Sequence, residues 1–189
     1  DCSKFNLKEQ NCHVSHCRMS FCWGTRVCFK DIFDHFNTNH QKIWHQIDGE
    51  SNKWTDLIKG DFLNDCSRDI NSLGCRWYSG KMTSTNGDVF ALFARASRVH
   101  PHKKVLYLWM MFFGSTEEAR NYSCRISIQN KFGNEFNYSG PVHPLDRNER
   151  TIVDSGFLLL IGSNAAKSLT DEKNNLKIEV TIRNLKKEA

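Results

Sequence analysis

The two runs Val89-Phe-Ala-Leu-Phe-Ala-Arg95 and Val105-Leu-Tyr-Leu-Trp-Met-Met-Phe-Phe113 decide the fold of this chain. Both are rich in the aliphatic and aromatic residues that favour strands. Each is far shorter than the roughly 20 apolar residues that a membrane helix needs. Residues 97–104, which include Pro101, separate the runs as a loop. We therefore predict a β-hairpin.

The rest of the chain after residue 60 extends this pattern. Two stretches alternate apolar and polar residues, as half-buried strands do: Cys124, Ile126 and Ile128, and Leu176, Ile178, Val180 and Ile182. Residues 157–161 are apolar throughout, which predicts a strand covered on both faces. Short helices are predicted at residues 31–39, 115–120 and 163–169, the second from the capping-box spacing of Ser115 and Glu118. Many strands with few helices indicate a mainly β protein built as an antiparallel sandwich.

Size and charge limit the functional classes. The chain has 189 residues, 26 Lys and Arg against 21 Asp and Glu, and a formal net charge of +5. Residues 1–50 hold six basic and six acidic residues, so the excess is spread over the remainder without a dense basic run. Nucleic-acid binding requires a concentrated basic patch. We expect a soluble globular protein that binds neither nucleic acid nor a membrane.

Cysteine and histidine are concentrated at the start of the chain. Five of the eight Cys and five of the eight His lie within residues 1–50. A secreted disulfide framework explains clustered Cys but not clustered His, whereas zinc binds both. Two Asn-x-Ser sequons, at Asn121 and Asn137, keep the secreted alternative open. We favour zinc as the cofactor.

The best metal-binding constellation is Cys17-x4-Cys22-x12-His35-x4-His40. Four protein ligands close a tetrahedral zinc site, which makes the site structural rather than catalytic. Surplus residues leave other ligand sets open: Cys2, Cys12, His16 and Cys28. Residues 1–46 are too short to bury a core, so the metal would supply their folding free energy. We predict a zinc module over residues 1–46 and a second domain over 47–189, with residues 47–60 as a connector.

At this point the chain resembles a known family. Cys17-Arg-Met-Ser-Phe-Cys22-Trp23 through His35-Phe-Asn-Thr-Asn-His40 is similar to the second finger of the Sina/Siah zinc-finger pair. Phe90-Ala-Leu-Phe-Ala-Arg, the segment from Tyr107 to Tyr122, and Tyr138-Ser-Gly-Pro-Val are similar to the Sina substrate-binding domain. So are Ser155-Gly-Phe-Leu-Leu-Leu and Leu176-Lys-Ile-Glu-Val-Thr-Ile. These stretches occur in family order. The chain differs from the family in that Trp23 follows Cys22 directly, and residues 1–189 contain no RING pattern of eight Cys/His ligands.

The resemblance implies a SIAH-type zinc finger followed by a TRAF-like substrate-binding domain. The implied function is substrate recognition and homodimerisation for a Sina-type E3 ubiquitin ligase, in the cytoplasm and secondarily in the nucleus. The implied partners are substrate or adaptor proteins with an extended peptide motif, and an E2 enzyme only through a RING outside this chain. Trp77 and Met82 fall where family members place the apolar walls of a peptide groove.

Other functional classes remain as alternatives. A TRAF-like adaptor or scaffold without ligase activity would use the same sandwich. We identify no catalytic residues: a hydrolase would need a nucleophile and a base, but no motif links the candidates. These candidates are Cys66, Cys75, Cys124, His100, His102 and His143. Because Cys124 is in phase with Ile126 and Ile128, we interpret it as a core thiol, and we expect His143 to lie in a solvated loop.

Overall fold

A computed structural model describes residues 13–14, 27–28, 52–58, 75–83, 88–100, 103–130, 132–144 and 147–187. Side chains are described in these ranges except at 13–14, 27–28, 54, 56, 75–83, 98 and 100. The chain divides into two compact units, Asp1–His45 and Gln46–Ala189. In the first unit, β1 (His13–Val14) pairs antiparallel with β2 (Val27–Cys28).

The described part of the second unit is made of strands connected by short helices. The strands are β3 (Lys53–Ile58), β4 (Cys75–Thr83), β5 (Val89–His100), β6 (Lys103–Phe112), β7 (Tyr122–Gln129), β8 (Glu135–Pro141), β9 (His143–Pro144), β10 (Leu159–Gly162) and β11 (Leu176–Asn184). The helices are α1 (Thr116–Ala119), α2 (Glu149–Ser155) and α3 (Ser163–Ser168).

The strands form two sheets. One has the order β3-β11-β7-β8, and the other has the order β10-β6-β5-β4, with β9 also paired to β6. Every described pairing is antiparallel except that of β6 with β9. Buried side chains of both sheets, such as Leu92 and Leu108 from one and Ile126 and Ile178 from the other, form a single core. The predicted mainly β antiparallel sandwich is confirmed.

The predicted hairpin is confirmed as β5 and β6, but its loop is shorter than expected. Pairing continues from Ser97 with Val105 to His100 with Lys103, with an irregularity after Arg98. The polar residues between the two apolar runs therefore belong to the strands, although they lie beyond the core. An apolar run marks the buried part of a strand rather than its whole length.

The segment 157–161 is not covered on both faces, as the sequence suggested. Leu159 and Ile161 are buried, whereas Leu160 is 54% exposed and Phe157 is 51% exposed. The strand β10 pairs with β6 at the end of its sheet, so only one of its faces lies on the core. An unbroken apolar run cannot distinguish this edge position from a central one.

Two of the predicted helices are confirmed, and a third was not predicted. At α1, the Ser115 hydroxyl accepts from the Glu118 amide at 3.2 Å, and the Ser115 amide donates to the Glu118 carboxylate at 2.9 Å. The helix predicted at residues 163–169 is α3. The unpredicted helix α2 is capped by Asn148. The helix predicted at residues 31–39 lies outside the described residues, and no helix in the described part is long and apolar enough to span a membrane.

The helix α2 covers the face of the β10-β6-β5-β4 sheet that points away from the core. Its Ile152 is fully buried against an outer apolar cluster that includes Tyr107 and Trp109 of β6. Arg95 of β5 donates to the Glu149 carboxylate at 2.5 Å, which joins the start of the helix to the sheet. This arrangement explains why all of residues 105–113 are buried: both faces of β6 are covered.

Candidate partner-binding edge

One edge strand from each sheet lies on the same side of the sandwich. Among the described strands, β3 is the last of its sheet and β4 is the last of the other, and the two lie next to each other. No described strand pairs with β3 on the side away from β11. An edge strand carries backbone N–H and C=O groups that an added extended peptide can bind. We call β3 together with β4 the edge pair.

The strand β3 corrects one of our expectations, because residues 47–60 were predicted to be a connector. In register, Trp54, Asp56 and Ile58 stand opposite the buried residues Val180, Ile178 and Leu176. The alternate residues Lys53, Thr55 and Leu57 are exposed. Leu57 is 56% exposed, which places an apolar side chain at the edge pair.

The predicted groove residues Trp77 and Met82 lie in β4, and their side chains are outside the described part of the chain. Their backbone register is described: Trp77 pairs with Ala94, and Met82 pairs with Phe90. Ala94 and Phe90 both belong to the core row of β5. Because paired residues share a face of a sheet, Trp77 and Met82 occupy positions on the core-facing row of an edge strand. A side chain at such a position can either pack in the core or line a peptide groove between β3 and β4.

The predicted zinc ligands Cys17, Cys22, His35 and His40 lie outside the described residues. The same holds for the alternative ligands Cys2, Cys12 and His16, whereas Cys28 is described only by its backbone in β2, where it pairs with His13. Within the described residues there is no group of three or more potential ligands that could hold a metal ion. The zinc site therefore stays a prediction.

A second exposed apolar surface lies at the opposite edge of the β10-β6-β5-β4 sheet. It consists of Phe157 and Leu160, each about half exposed. The other long apolar run, residues 105–113, is a further candidate from composition for a dimer surface, but Trp109 and Met110 at its middle are 3% and 0% exposed. The run from 105 to 113 is inside the monomer, which leaves Phe157 and Leu160 as the accessible apolar residues of the two runs.

Comparison with protein-family models decides the relationship. Residues 83–181, more than half of the chain, match the model of the Sina, TRAF-like domain. This chain belongs to the Sina TRAF-like domain family. The matched segment begins at the end of β4 and runs into β11. A comparison with curated proteins found no match. This membership indicates a TRAF-like protein-interaction domain of the Sina type.

Within the Sina TRAF-like domain, Cys124 is a core residue, as predicted. Its side chain is 2% exposed, and its Sγ lies 3.8 Å from the carbonyl oxygen of Pro141. Burial raises the pKa of the thiol to about 12, because the charged thiolate is desolvated in the core. A thiol that stays protonated at neutral pH is a poor nucleophile. The described geometry gives the hydrolase alternative no support.

The prediction that His143 is a solvated loop residue is wrong. His143 lies in β9, pairs with Met111 of β6, and is 1% exposed. Its Nε2 lies 2.7 Å from the carbonyl oxygen of Phe157, and its Nδ1 lies 3.4 Å from the guanidinium of Arg147. Since arginine can only donate, Nδ1 accepts and Nε2–H donates to Phe157. The imidazole thus links β9 to the segment before β10.

This position gives the Sina TRAF-like domain a pH-dependent stability. Desolvation lowers the pKa of His143 below its usual 6.5, and the adjacent Arg147 lowers it further, while the bond to Phe157 opposes the change. The stability that the neutral ring contributes is complete above pH 6.5 and is lost as the pH falls below 6.5 towards the folded-state pKa. The loss for one proton is at most about 1.4 kcal/mol per pH unit.

We expect His143→Gln to remove this pH-dependent contribution, since the amide can donate to Phe157 and accept from Arg147 without titrating. The measurement is urea unfolding of both proteins across the range below and above pH 6.5. The difference between their unfolding free energies should shrink as the pH falls. If the unfolding free energies of the two proteins change with pH in parallel, His143 has the same pKa in the folded and unfolded states.

Proposed function

We propose that this protein is the substrate- or partner-recognition region of a Sina-type E3 ubiquitin ligase, and that it directs bound proteins to ubiquitination. The partner is a protein segment in extended conformation, held at the edge pair. The observation that carries this proposal is the adjacency of two edge strands, β3 and β4, in a domain of this family. No nucleic-acid or membrane partner is part of the proposal.

Strand addition at the edge pair would have two components. An added strand would lie along β3 on the side away from β11, where no described strand pairs, and main-chain hydrogen bonds would give affinity without regard to sequence. Alternate side chains then give specificity. Leu57 would provide an exposed apolar contact on the outer row of β3, and Trp77 and Met82, on the core-facing row of β4, are candidates for a wall between the two edges.

The resemblance extends the proposal to the N-terminal unit and to assembly. Cys17, Cys22, His35 and His40 would hold one structural zinc, and the metal would supply folding free energy to a unit whose sequence is too short to bury a large core. Two chains would associate through Phe157 and Leu160, because a two-fold dimer buries the same apolar surface of both copies. We place the protein in the cytoplasm and the nucleus, where zinc thiolates are stable and disulfides are rare.

No residue of this chain performs ubiquitin transfer in this proposal. A RING would bind the ubiquitin-charged E2 and would lie outside residues 1–189. The adaptor alternative uses the same edge pair without a ligase. The test coexpresses this protein and a client with and without a RING-bearing partner and measures ubiquitination of the client. Ubiquitination that requires the RING-bearing partner supports the ligase proposal, and its absence in both cases supports the adaptor alternative.

The edge pair is tested by calorimetric titration with extended peptides that contain Val and Pro, the kind of motif that the resemblance to Sina-type domains implies. We expect Leu57→Asp to weaken peptide binding by about tenfold or more, since it places a carboxylate at an apolar contact. The matched control is Leu185→Asp, a similarly exposed leucine beyond β11. The Leu185→Asp variant should bind the peptide with the affinity of the unmodified protein.

Two further variants, Trp77→Ala and Met82→Ala, separate a groove role from a core role. Loss of affinity at unchanged unfolding free energy assigns the residue to the groove. Unchanged affinity with reduced stability assigns it to the core. If none of the three β3 and β4 variants changes affinity, the peptide site lies elsewhere on this domain.

A further inference from the structure

The segment between α2 and β10 carries the two exposed apolar residues through which we propose that two chains associate. Phe157 lies in this segment and Leu160 follows in β10, and each is about half exposed. Leu158 and Leu159 lie between them and are buried. The backbone of residues 157–160 therefore determines where the two exposed side chains stand. We call Phe157 together with Leu160 the association surface.

Two side-chain contacts hold the backbone of Phe157. Its N–H donates to the Ser155 hydroxyl at 3.3 Å, and its carbonyl oxygen lies 2.7 Å from Nε2 of His143. Ser155 belongs to α2, and its hydroxyl donates to the Ile152 carbonyl of the same helix at 2.7 Å. The bond from His143 is different, because it joins Phe157 to another element, the strand β9.

His143 is itself held on its other sides. It pairs with Met111 in the parallel ladder between β9 and β6, and it is 1% exposed. Its Nδ1 lies 3.4 Å from the guanidinium of Arg147, so a neutral ring with its proton on Nε2 satisfies both contacts at once. The ring thus connects the carbonyl of Phe157 to a buried strand.

A protonated ring does not fit the same arrangement. A proton on Nδ1 would face the Arg147 guanidinium, which would place two donors and two positive charges against each other at this contact. Arg147 is also the described charged group that acts on the pKa of His143, and it lowers that pKa. The geometry of the contact therefore requires the neutral ring.

No described carboxylate next to the ring offsets a positive charge there. The described carboxylates of the adjoining helices are Glu117 and Glu118 of α1, which packs against β9, and Glu149 and Asp154 of α2. The two on α1 are exposed, and the two on α2 pair with arginines. Met111 and residues 156–158 are uncharged. A positive ring would therefore be buried without a counter-ion, and it gains hydration by leaving its site.

We propose that His143 is a positioning residue of the association surface: its bond to the Phe157 carbonyl holds Phe157 and Leu160 in place for a second copy of this chain, and the charge of its ring controls the affinity between the copies. This inference rests on the proposed dimer. A two-fold dimer contains two such rings. Its dissociation constant should therefore rise by up to about tenfold per ring for each pH unit below the folded-state pKa.

The test measures the dimer dissociation constant of the full chain by analytical ultracentrifugation, above and below pH 6.5, the ordinary pKa of histidine. The unmodified protein should dissociate more readily as the pH falls. His143→Gln should keep the dimer and lose most of this pH dependence, because its amide makes both contacts without titrating. His100→Gln, at the tip of the β5–β6 hairpin, is the matched control and should keep the pH dependence.

A second measurement separates a local change from general acid unfolding. It follows the amide resonances of the ¹⁵N-labelled variant Leu160→Asp, which should be monomeric. The amides of Phe157 and Leu158 should shift in one titration below pH 6.5, and the further change His143→Gln should abolish it. The amides of Ile126 and Ile178, in the other sheet, should stay in place over the same range.

The outcomes distinguish failure of this inference from failure of the proposed dimer. A dimer whose dissociation constant does not depend on pH, or depends on it equally in His143→Gln, overturns the role of His143 and leaves the dimer standing. Shifts that extend equally to Ile126 and Ile178 also overturn it, because they show global unfolding. A chain that is monomeric above pH 6.5, or a dimer that survives Leu160→Asp, refutes the proposed association surface and this inference with it.

Discussion

Replacing Phe90 by alanine should cost about 3–5 kcal/mol of unfolding free energy, a large part of the 5–15 kcal/mol typical of a domain. Phe90 is fully buried at the centre of an aromatic cluster. Its ring centroid lies 5.2 Å from that of Phe112 and 5.0 Å from that of Tyr122, the latter edge to face. Phe112 comes from β6 and Tyr122 from β7, so the deletion opens a cavity between the two sheets.

The measurement is urea unfolding followed by intrinsic fluorescence. Phe132→Ala is the matched control, because Phe132 is 76% exposed in the turn between β7 and β8 and should cost less than about 1 kcal/mol. Phe90→Leu, which keeps most of the volume, provides a milder variant if Phe90→Ala does not fold. Equal costs for Phe90→Ala and Phe132→Ala would contradict the core assignment.

The sequence predicted the strands that have one face on the core and one in water. In β7 and β11 the pattern is direct, since buried Ile126 and Ile178 alternate with exposed polar residues. The capping box at Ser115 and Glu118 predicted α1, because both of its hydrogen bonds are local. Such features depend only on neighbouring residues, which a sequence shows.

The missed elements depend on contacts distant in sequence. Strand β3 escaped prediction because Asp56 occupies its core-facing register row and interrupts the alternation. His143 was placed in a loop because its partners, the Phe157 carbonyl and Met111, come from other elements. The helix α2 buries Ile152 against the outer face of the sheet, and the sequence did not show that this face needed a cover.

The peptide groove that the family resemblance implies stays a prediction. The described backbone places its two candidate wall residues, Trp77 and Met82, in the edge strand β4. The facing strand β3 and its exposed Leu57 did not follow, because residues 47–60 read as a connector. The metal ligands lie outside the described residues and remain a prediction.

We propose a dimeric, zinc-containing recognition region of a Sina-type protein, and native mass spectrometry of the full chain measures both the dimer and the zinc content in one spectrum. Structural zinc in small fingers binds with an apparent free energy of about 10–16 kcal/mol, so that the ion stays bound at micromolar protein concentration and is removed only by a strong chelator. Leu160→Asp should convert the dimer to monomer, because it charges the shared apolar surface. Leu185→Asp, at a similarly exposed leucine, should leave the dimer intact.

We expect a species of twice 21.9 kDa that carries one zinc ion per chain. Chelation should release the metal and unfold residues 1–46 while the sandwich stays folded. A species of 21.9 kDa at micromolar concentration, with no metal and with Cys17 and Cys22 oxidised, would contradict it.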